Sequence, residues 1–479
     1  MIKQIAVIGR GMPLAMTTAI LAQSLRSFGT KVFALELPNA QRFESEVEVC
    51  GTEFSPLCRI LGLNEQKLIS ECRGTFRLGN LLSDEQSSFI PFGYLGISAQ
   101  QDDFELGLFQ HLQSNGNANL SEWSAASSAA LAGKFAIAGN NRPELQEALA
   151  YGVNLDKRLY LSNIKALCDE ANVQWVKLQN EQCDFCYDEL GYIQELVNGG
   201  QKYTADFWLD LGSTSNVVTK QERSNWQASI PLTHKSEWQS NSVVLSKPFT
   251  DIQKFGSCWL KTTCLRDKTF YQLFVNNNPN EPQTIEQQIA GKGIQLPANI
   301  DWQPIQTGAL TEAWQANCLK LGSAAIELSG LVLSELQCLQ AALVLFMDLF
   351  PDIPIGKENR RNFNRMWQRF VQDAHDYTAA HFLHSCSDVS SLPVSLQQRL
   401  QVFGRLGRIS ALDSDAVSES QWYHLLYGIG YRPQLSSVLL SKIDDKSKNS
   451  RYESIRLSIK KLVEGMPTHQ QYLYKFYSS

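Results

Sequence analysis

Strong charge of either sign is missing from this sequence. Lysine and arginine together number 43 and aspartate and glutamate 48 in 479 residues, a formal net charge of −5, and charged residues make up only 19%. No basic excess exists to neutralise a phosphate backbone, so nucleic acid is not expected as a partner. Long hydrophobic runs are missing as well. No window reaches the ~18 uninterrupted apolar residues of a membrane span, and the greasiest stretch, Leu336 to Met347, stops short of it. The opening MIKQIAVIGRG has a brief apolar run and no small-residue cleavage site, so no signal peptide and no membrane association are expected. The eleven cysteines are odd in number and scattered over a long chain, which does not make a disulfide framework; reduced thiols in the cytoplasm fit better. Cys183-Asp184-Phe185-Cys186 is the only CxxC, without a second CxxC or a histidine pair at ligand spacing. It reads as two ordinary thiols or as a weak metal or redox site. His381 and His384 share a helical spacing, but no third ligand is evident and no metal centre is expected. Fixed-period repeats are absent, and the one compositionally simple stretch, Ser121 to Ala132, reads as a loop or a helix start.

What is present is an ordinary globular composition, 43% hydrophobic, long enough for roughly three domain-sized units or two large interwoven ones. Ile5 to Ile8 is an apolar strand followed by Gly9-Arg10-Gly11. Pro13 to Phe28 has helical spacing, and Thr30 to Glu36 is a second apolar strand ending in an acid. Strand, glycine turn, helix, strand is a βαβ unit at the start of the chain. Further on, Glu65 to Cys72 and Leu155 to Ala171 read as helices. Gln174 to Leu178, Phe207 to Leu211, Ser242 to Leu245 and Thr269 to Val275 read as strands. Beyond about residue 322 the pattern turns helical. Leu331 to Phe350 is apolar on most sides, and Asn359 to His384 and Arg456 to Lys475 are amphipathic.

A dinucleotide site asks three things of its first βαβ: a tight turn, close approach of backbone to the pyrophosphate, and a helix packed close to the strands. Gly9 and Gly11 meet the first two. The third glycine position holds Leu14, and Pro13 contributes no N–H to an anion. Glu36 stands where an acid would accept from ribose hydroxyls. The segment reads either as a cofactor site or as a βαβ that kept its fold without one.

Other segments carry a resemblance along nearly the whole chain. They are IAVIGRG, Tyr151-Gly152-Val153-Asn154-Leu155-Asp156, Trp314 to Gly322 (WQANCLKLG), Leu349-Phe350-Pro351-Asp352, Asp376 to Phe382 (DYTAAHF), Trp422 to Gln434 (WYHLLYGIGYRPQ) and Met466-Pro467-Thr468-His469 with Tyr472. In this order and spacing they resemble the flavin-dependent tryptophan halogenases. The resemblance implies an α/β fold: an FAD-binding Rossmann-type core, like that of flavin monooxygenases, with a mixed sheet. It also implies an FAD-binding module interleaved with a mixed-sheet substrate region over 1–355 and a helical C-terminal substrate module over 356–479. The chemistry it implies uses FAD reduced by a separate flavin reductase, oxygen and a halide to make hypohalous acid. A lysine and a glutamate then present the halogen to a small aromatic substrate such as an indole. Family members are often homodimers.

The reaction-specific positions depart from the family's pattern. Arg77, in Thr75-Phe76-Arg77, occupies the slot of the catalytic lysine, and Val332, in Ser329 to Ser334, that of the glutamate. A guanidinium stays charged and is a poor nucleophile, and a hydrocarbon accepts no proton. Gly256-Ser257-Cys258-Trp259 keeps only the glycine and the second tryptophan of a "G-W-x-W" motif. By the same resemblance Gly9, Gly11, Glu36, Glu48, Gly322 and Ser323 fall on the cofactor side, with Gly322-Ser323 where many monooxygenases carry Gly-Asp. Phe92, within Phe89-Ile90-Pro91-Phe92-Gly93, and Trp422 fall on the substrate side. Two readings follow: a divergent flavoprotein oxidoreductase or monooxygenase with Arg77 as an anion or peroxide contact, and a non-catalytic relative that binds an aromatic molecule or a partner protein.

Overall fold

The structure is a computed structural model. It describes residues 2–38, 45–83, 87–96, 104–114, 116, 119–139, 143–212, 223–241, 247–256, 258–276, 289, 294–351, 355–383, 392–409, 416–434 and 445–478. The segment Ser242 to Leu245, Asp352 and His384 lie outside them. The chain divides into two compact units, each assembled from three stretches: Met1–Cys72, Leu155–Gln227 and Gln306–Gln372 form the first, and Arg73–Asn154, Ala228–Ile305 and Asp373–Ser479 the second.

In the first unit the apolar run at the start of the chain becomes the strand Gln4–Gly9, buried along all but its first residue. A strand covered on both faces needs a continuous apolar run, which this one has. It pairs in parallel with Lys31–Glu36 on one side and Phe207–Asp210 on the other. Gln174–Lys177 and Cys318–Lys320 extend the parallel sheet, and Trp314–Gln315 closes one edge antiparallel. The register aligns Gly9 with Glu36, Glu36 with Lys177, Ile8 with Asp210 and Asp210 with Lys320. These residues therefore stand in a row at the C-terminal edge of the sheet, where ligands bind in open α/β sheets. The helices Gly11–Ser24 and Lys157–Glu170 pack together. A three-stranded meander, Asp184–Tyr187, Ile193–Asn198 and Gln201–Tyr203, contributes Ile193 and Leu196 to one apolar cluster with Ala6, Ile8, Leu35 and Trp208. The expected α/β core is thus present.

In the second unit a seven-stranded mixed sheet runs in the order Gln303–Pro304, His234–Ser240, Thr269–Val275, Cys258–Cys264, Thr250–Phe255, Gly79–Ser83, Ser87–Pro91. Only the pairing of Thr250–Phe255 with Gly79–Ser83 is parallel. Helices Val394–Leu406, Glu419–Gly428, Asp445–Glu464 and His469–Ser478 belong to this unit, and Glu419–Gly428 lies against the edge strand Ser87–Pro91.

Several boundaries differ from the sequence reading, each for a local reason. The first helix starts at Gly11, two residues before Pro13, and ends at Ser24; a 3-10 turn, Arg26–Phe28, follows and Gly29 stops it at φ +71°. The expected helix Leu155 to Ala171 is a strand, Gly152–Asp156, followed by the helix Lys157–Glu170. The Asp156 carboxylate accepts from the N–H groups of Arg158 and Leu159, so it caps the helix and cannot lie inside it. In the same way Ser334 caps Glu335–Asp348, four residues beyond the expected start at Leu331. Gly465-Met466-Pro467 splits the expected helix Arg456 to Lys475 into two.

Candidate functional site

The glycine turn is built as the sequence requires. A Cβ on Gly9 would lie 2.8 Å from Leu211 Cβ, so the first glycine is fixed by the neighbouring strand's continuation. Gly11 sits at φ +58°, a left-handed position that an L side chain resists. Arg10 precedes the helix Gly11–Ser24, whose first turn carries no acid and no side-chain cap. Met12 and Leu14 are 1% and 0% exposed, so both point into the core of the unit. Leucine at the third glycine position is accommodated as a core residue.

The other residues expected on the cofactor side have partners within the unit. Glu36 accepts from Trp175 Nε1 at 2.9 Å and from Lys165 Nζ at 3.3 Å, one partner on each oxygen. Glu48 is half-buried on the strand Val47–Cys50, and its charge adds to burial and nearby thiols in raising the phenol of Tyr160. Gly322, at φ +55°, opens a 3-10 turn, Gly322–Ala324. Arg223 Nη2 donates to the carbonyls of Ser323 (3.0 Å) and Ala324 (2.8 Å), and Nη1 stands 3.3 Å from Glu327. That arginine holds the turn closed, a role the sequence did not reveal because 100 residues separate the partners. Asp210, at the C-terminal edge, is raised to about 6 by burial, against the opposing pull of Lys320 and the Gly212 N–H.

A dinucleotide therefore finds one half of its usual cradle here. The turn and the uncapped helix N-terminus suit a pyrophosphate. The acid for a ribose already has two donors, and Ser323 offers a hydroxyl where a carboxylate is common.

In the second unit the strand Thr75–Arg77 places Arg77 inside, 5% exposed. Its Nη2 donates to Asn80 Oδ1, and its guanidinium lies over the Phe92 ring, 4.8 Å from the centroid. Phe92 is half-buried, and its N–H is held by Leu78 O at 2.9 Å. Ile90 is a core residue at 1%. Tyr377, on the helix Lys357–Ala380, feels Arg77: burial and Asp373 push its phenol up, and the guanidinium pulls it down.

Trp422 is fully buried. Its indole N–H donates to Asp373 Oδ1 (3.2 Å), the Arg399 guanidinium covers it at 4.4 Å, and Tyr377 meets it edge-on with centroids 5.3 Å apart. Arg399 pairs with Asp373 at 2.8 Å, and the N–H groups of Ala416 and Val417 donate to the other oxygen. Asp376 accepts from Ser395 at 2.6 Å, and burial raises it to about 7. His381 and His424, each donating Nδ1–H to a carbonyl one turn back, are lowered by burial to about 4 and stay neutral. The Arg77 guanidinium thus faces the Phe92 ring, and Tyr377 meets Trp422 edge-on. Asn80 and Asp373 were not singled out in the sequence, and Tyr377 stood there only within the segment Asp376 to Phe382; Asp373 carried a signal, being three residues before Asp376.

Val332 is half-buried in the first unit, two residues before the capping Ser334. Cys183 is buried and accepts from Asn198 Nδ2, whereas Cys186 is exposed. Among the described residues no three His, Cys, Asp or Glu side chains converge as metal ligands, and no helix is long and apolar enough to cross a membrane.

Comparison with known proteins returns one family and one fold. No curated protein matches. Among solved structures, the flavin-dependent halogenase BrvH from Brevundimonas sp. BAL3 superposes with a TM-score of 0.88 at 19% identity, covering 99% of each chain. A flavin-dependent halogenase from Xanthomonas campestris gives 0.87 at 17%, covering 99% of this chain and 98% of the other. A tryptophan halogenase from Shewanella frigidimarina gives 0.86 at 15%, covering 100% and 98%. At these identities the likeness establishes the fold. The family model for tryptophan halogenase matches residues 4–445, nearly the whole chain, and the protein belongs to that family.

Proposed function

We propose that this chain is a flavin-binding oxidoreductase of the halogenase family that takes a small, indole-like aromatic and does not follow the ordinary halogen-transfer route. The observation that carries the reading is the state of the lysine slot. Arg77 is buried, fixed by Asn80 and laid over Phe92. An amine can lose its proton and take a halogen on nitrogen; a guanidinium keeps its charge at every working pH. It holds an anion and donates hydrogen bonds. The half-exposed Phe92 ring suits an aromatic ligand, with stacking worth about 0.5–1.5 kcal/mol beyond burial. Val332 has no lone pair to accept a ring proton.

FAD, when bound, supplies the oxidative chemistry, and a separate reductase would deliver it reduced. On this reading Gly9 and Gly11 receive the pyrophosphate, Gly322 and Ser323 face the ribitol, and Glu36 and Glu48 line the cofactor side. Purified protein titrated with FAD is expected to show binding by calorimetry and by the flavin's visible absorbance. Supplied with reduced flavin, oxygen, halide and tryptophan, the wild type is expected to yield no halotryptophan, and the double variant R77K/V332E to yield it. Halogenation by the wild type would overturn the altered-route reading, and a colourless protein that gives no heat with FAD would overturn flavin binding.

A second reading, a non-catalytic relative that binds an aromatic ligand or a partner protein, is favoured by the two donors already on Glu36. It predicts indole binding without FAD binding.

A further inference from the structure

The helix Lys357–Ala380 carries a ladder of one sign. Lys357, Arg361, Arg365 and Arg369 follow one another at intervals of four residues, and all four are exposed. At 1.5 Å per residue they line one face over about 18 Å. Like charges at this spacing repel and weaken a helix. Among the described residues Lys357, Arg361 and Arg365 make no hydrogen bond and no ion pair, and neither does Arg360 beside them. Glu312 shares a hollow with these arginines and Glu358 stands on the same helix, yet neither forms an ion pair with them. The other face of the helix is fixed. Phe363 and Trp367 are buried, Trp367 Nε1 donates to Leu310 O at 3.0 Å, and Asn364 holds both backbone groups of Trp314. The core thus holds this helix by its apolar side, and the cations stand on the other, unneutralised in a chain whose net charge is −5.

An apolar hollow continues this face. A cavity of about 370 Å³ is walled in part by Tyr187, Leu190, Ile193 and Trp314. Glu312 and Arg360 border both it and a second hollow of about 330 Å³ that Arg361 and Arg365 line, so the two form one groove. Leu190 is 80% exposed and Tyr187 42%. The turn that carries Leu190 is held in place, because the Asp188 carboxylate accepts from the N–H groups of Leu190 and Tyr192 at 2.9 and 2.8 Å. A lone exposed leucine is ordinary. A leucine and a tyrosine at the rim of a cavity that runs into unpaired guanidinium groups are the pattern of an interaction surface.

We propose that this groove docks an acidic amphipathic helix of another protein. Carboxylates at i, i+4 and i+8 of the partner lie along Lys357, Arg361 and Arg365, and a bulky apolar residue at one end enters the cavity beside Tyr187 and Leu190. A helix is the complement because its side chains repeat at the same four-residue interval as the cations. Duplex nucleic acid is the poorer fit: Glu312 and Glu358 interrupt the positive field, and the cavity takes an apolar group. A second copy of this chain is the poorer fit as well, since none of its described helices carries acids at i, i+4 and i+8. The groove lies wholly in the first unit and does not depend on the flavin reading.

The test titrates the full chain, by fluorescence anisotropy, with a labelled synthetic helix of about four turns that bears glutamates at four-residue intervals and a terminal leucine. Wild type is expected to bind it, and R361E/R365E to bind it tenfold or more weakly while melting no lower, because a repulsion has been relieved. Leu190→Ser is expected to weaken binding severalfold without changing its salt dependence. On wild type alone, a peptide with glutamine in place of every glutamate is expected to lose binding, and raised salt to weaken the glutamate peptide; these two arms stand even if a variant fails to fold. Equal binding of the glutamate and glutamine peptides, equal binding by wild type and R361E/R365E, or no binding by wild type overturns the proposal. Binding of duplex DNA or of unstructured polyglutamate as tight as that of the helix shows a bare positive field and overturns it. A wild-type dimer that R361E/R365E dissociates in sedimentation assigns the face to a second copy and overturns it too.

Discussion

In the unit that carries the glycine turn, three asparagine amides make buried polar joints with the backbone; in the unit that carries Arg77, a buried aspartate makes the corresponding joint with a charged partner, and neutral histidines lie buried in the same unit. Asn317 accepts from the Ile193 N–H and donates to the carbonyls of Ile193 and Asp206. Asn198 closes the loop before the meander, accepting from Gln179 and Asn180 and donating to Asn180 and Gln182. Asn364 holds both backbone groups of Trp314. Each amide imitates a strand neighbour and carries no charge, so these joints do not depend on pH. In the other unit Asp373 gathers Arg399, the Trp422 indole and two backbone N–H groups, and Asp376 lies one turn away with its ionisation suppressed. Ions in a dry interior fix geometry and are sensitive to the loss of one partner.

The sharpest way to break this comparison is Asp373→Ala. It leaves a buried guanidinium and three N–H donors without their acceptor, and the expected loss is about 3–5 kcal/mol in urea unfolding. Asn317→Ala in the other unit is expected to cost about 2–3 kcal/mol. Its hydrogen-exchange protection should fall along Ile193–Asn198, and its cost should be the same across pH. A pH-dependent cost there would contradict the neutral-joint account.

The third test concerns protons. Asp376 is raised from 3.8 to about 7, with burial the main cause, Ser395 and Arg399 pulling down and Asp373 pushing up. The folded state therefore keeps a proton that the unfolded chain has lost, and this contribution to stability declines from about pH 4 to about pH 7. His375, His381 and His424 are lowered from 6.5 to about 4 by burial, so their contribution is lost as pH falls over that interval. Asp376→Asn should remove the declining contribution, at most about 1.4 kcal/mol per pH unit, and shift the stability optimum upward in pH. An unshifted optimum would mean that Asp376 is ionised in the fold. The smallest expected effect is Ser334→Ala, about 1 kcal/mol in thermal unfolding, from loss of a helix cap.

Much of this fold was legible in the residues. Continuous apolar runs at Ile5 to Ile8 and Thr30 to Glu36 marked strands buried on both faces, and Gly9-Arg10-Gly11 marked the turn between strand and helix. The motif order identified the family. Helix starts were less legible, because Asp156 and Ser334 act as caps only when their side chains turn back on the following N–H groups. Side-chain partners were not legible at all. Trp422 was expected at the substrate, and the structure places its N–H on Asp373 and its ring between Arg399 and Tyr377. Arg10 sat in plain view between two glycines, yet nothing local says that its charged partner is Glu181.

The linear chain by itself determined the βαβ start and the family, because local conformation and side-chain chemistry are properties of residues and their near neighbours. Only the tertiary structure decided which charges are satisfied. Glu36 meets Lys165 and Trp175, Arg223 meets the carbonyls of a turn 100 residues away, and Asp373 meets Arg399, because burial and distance belong to the packed chain and to no segment of it.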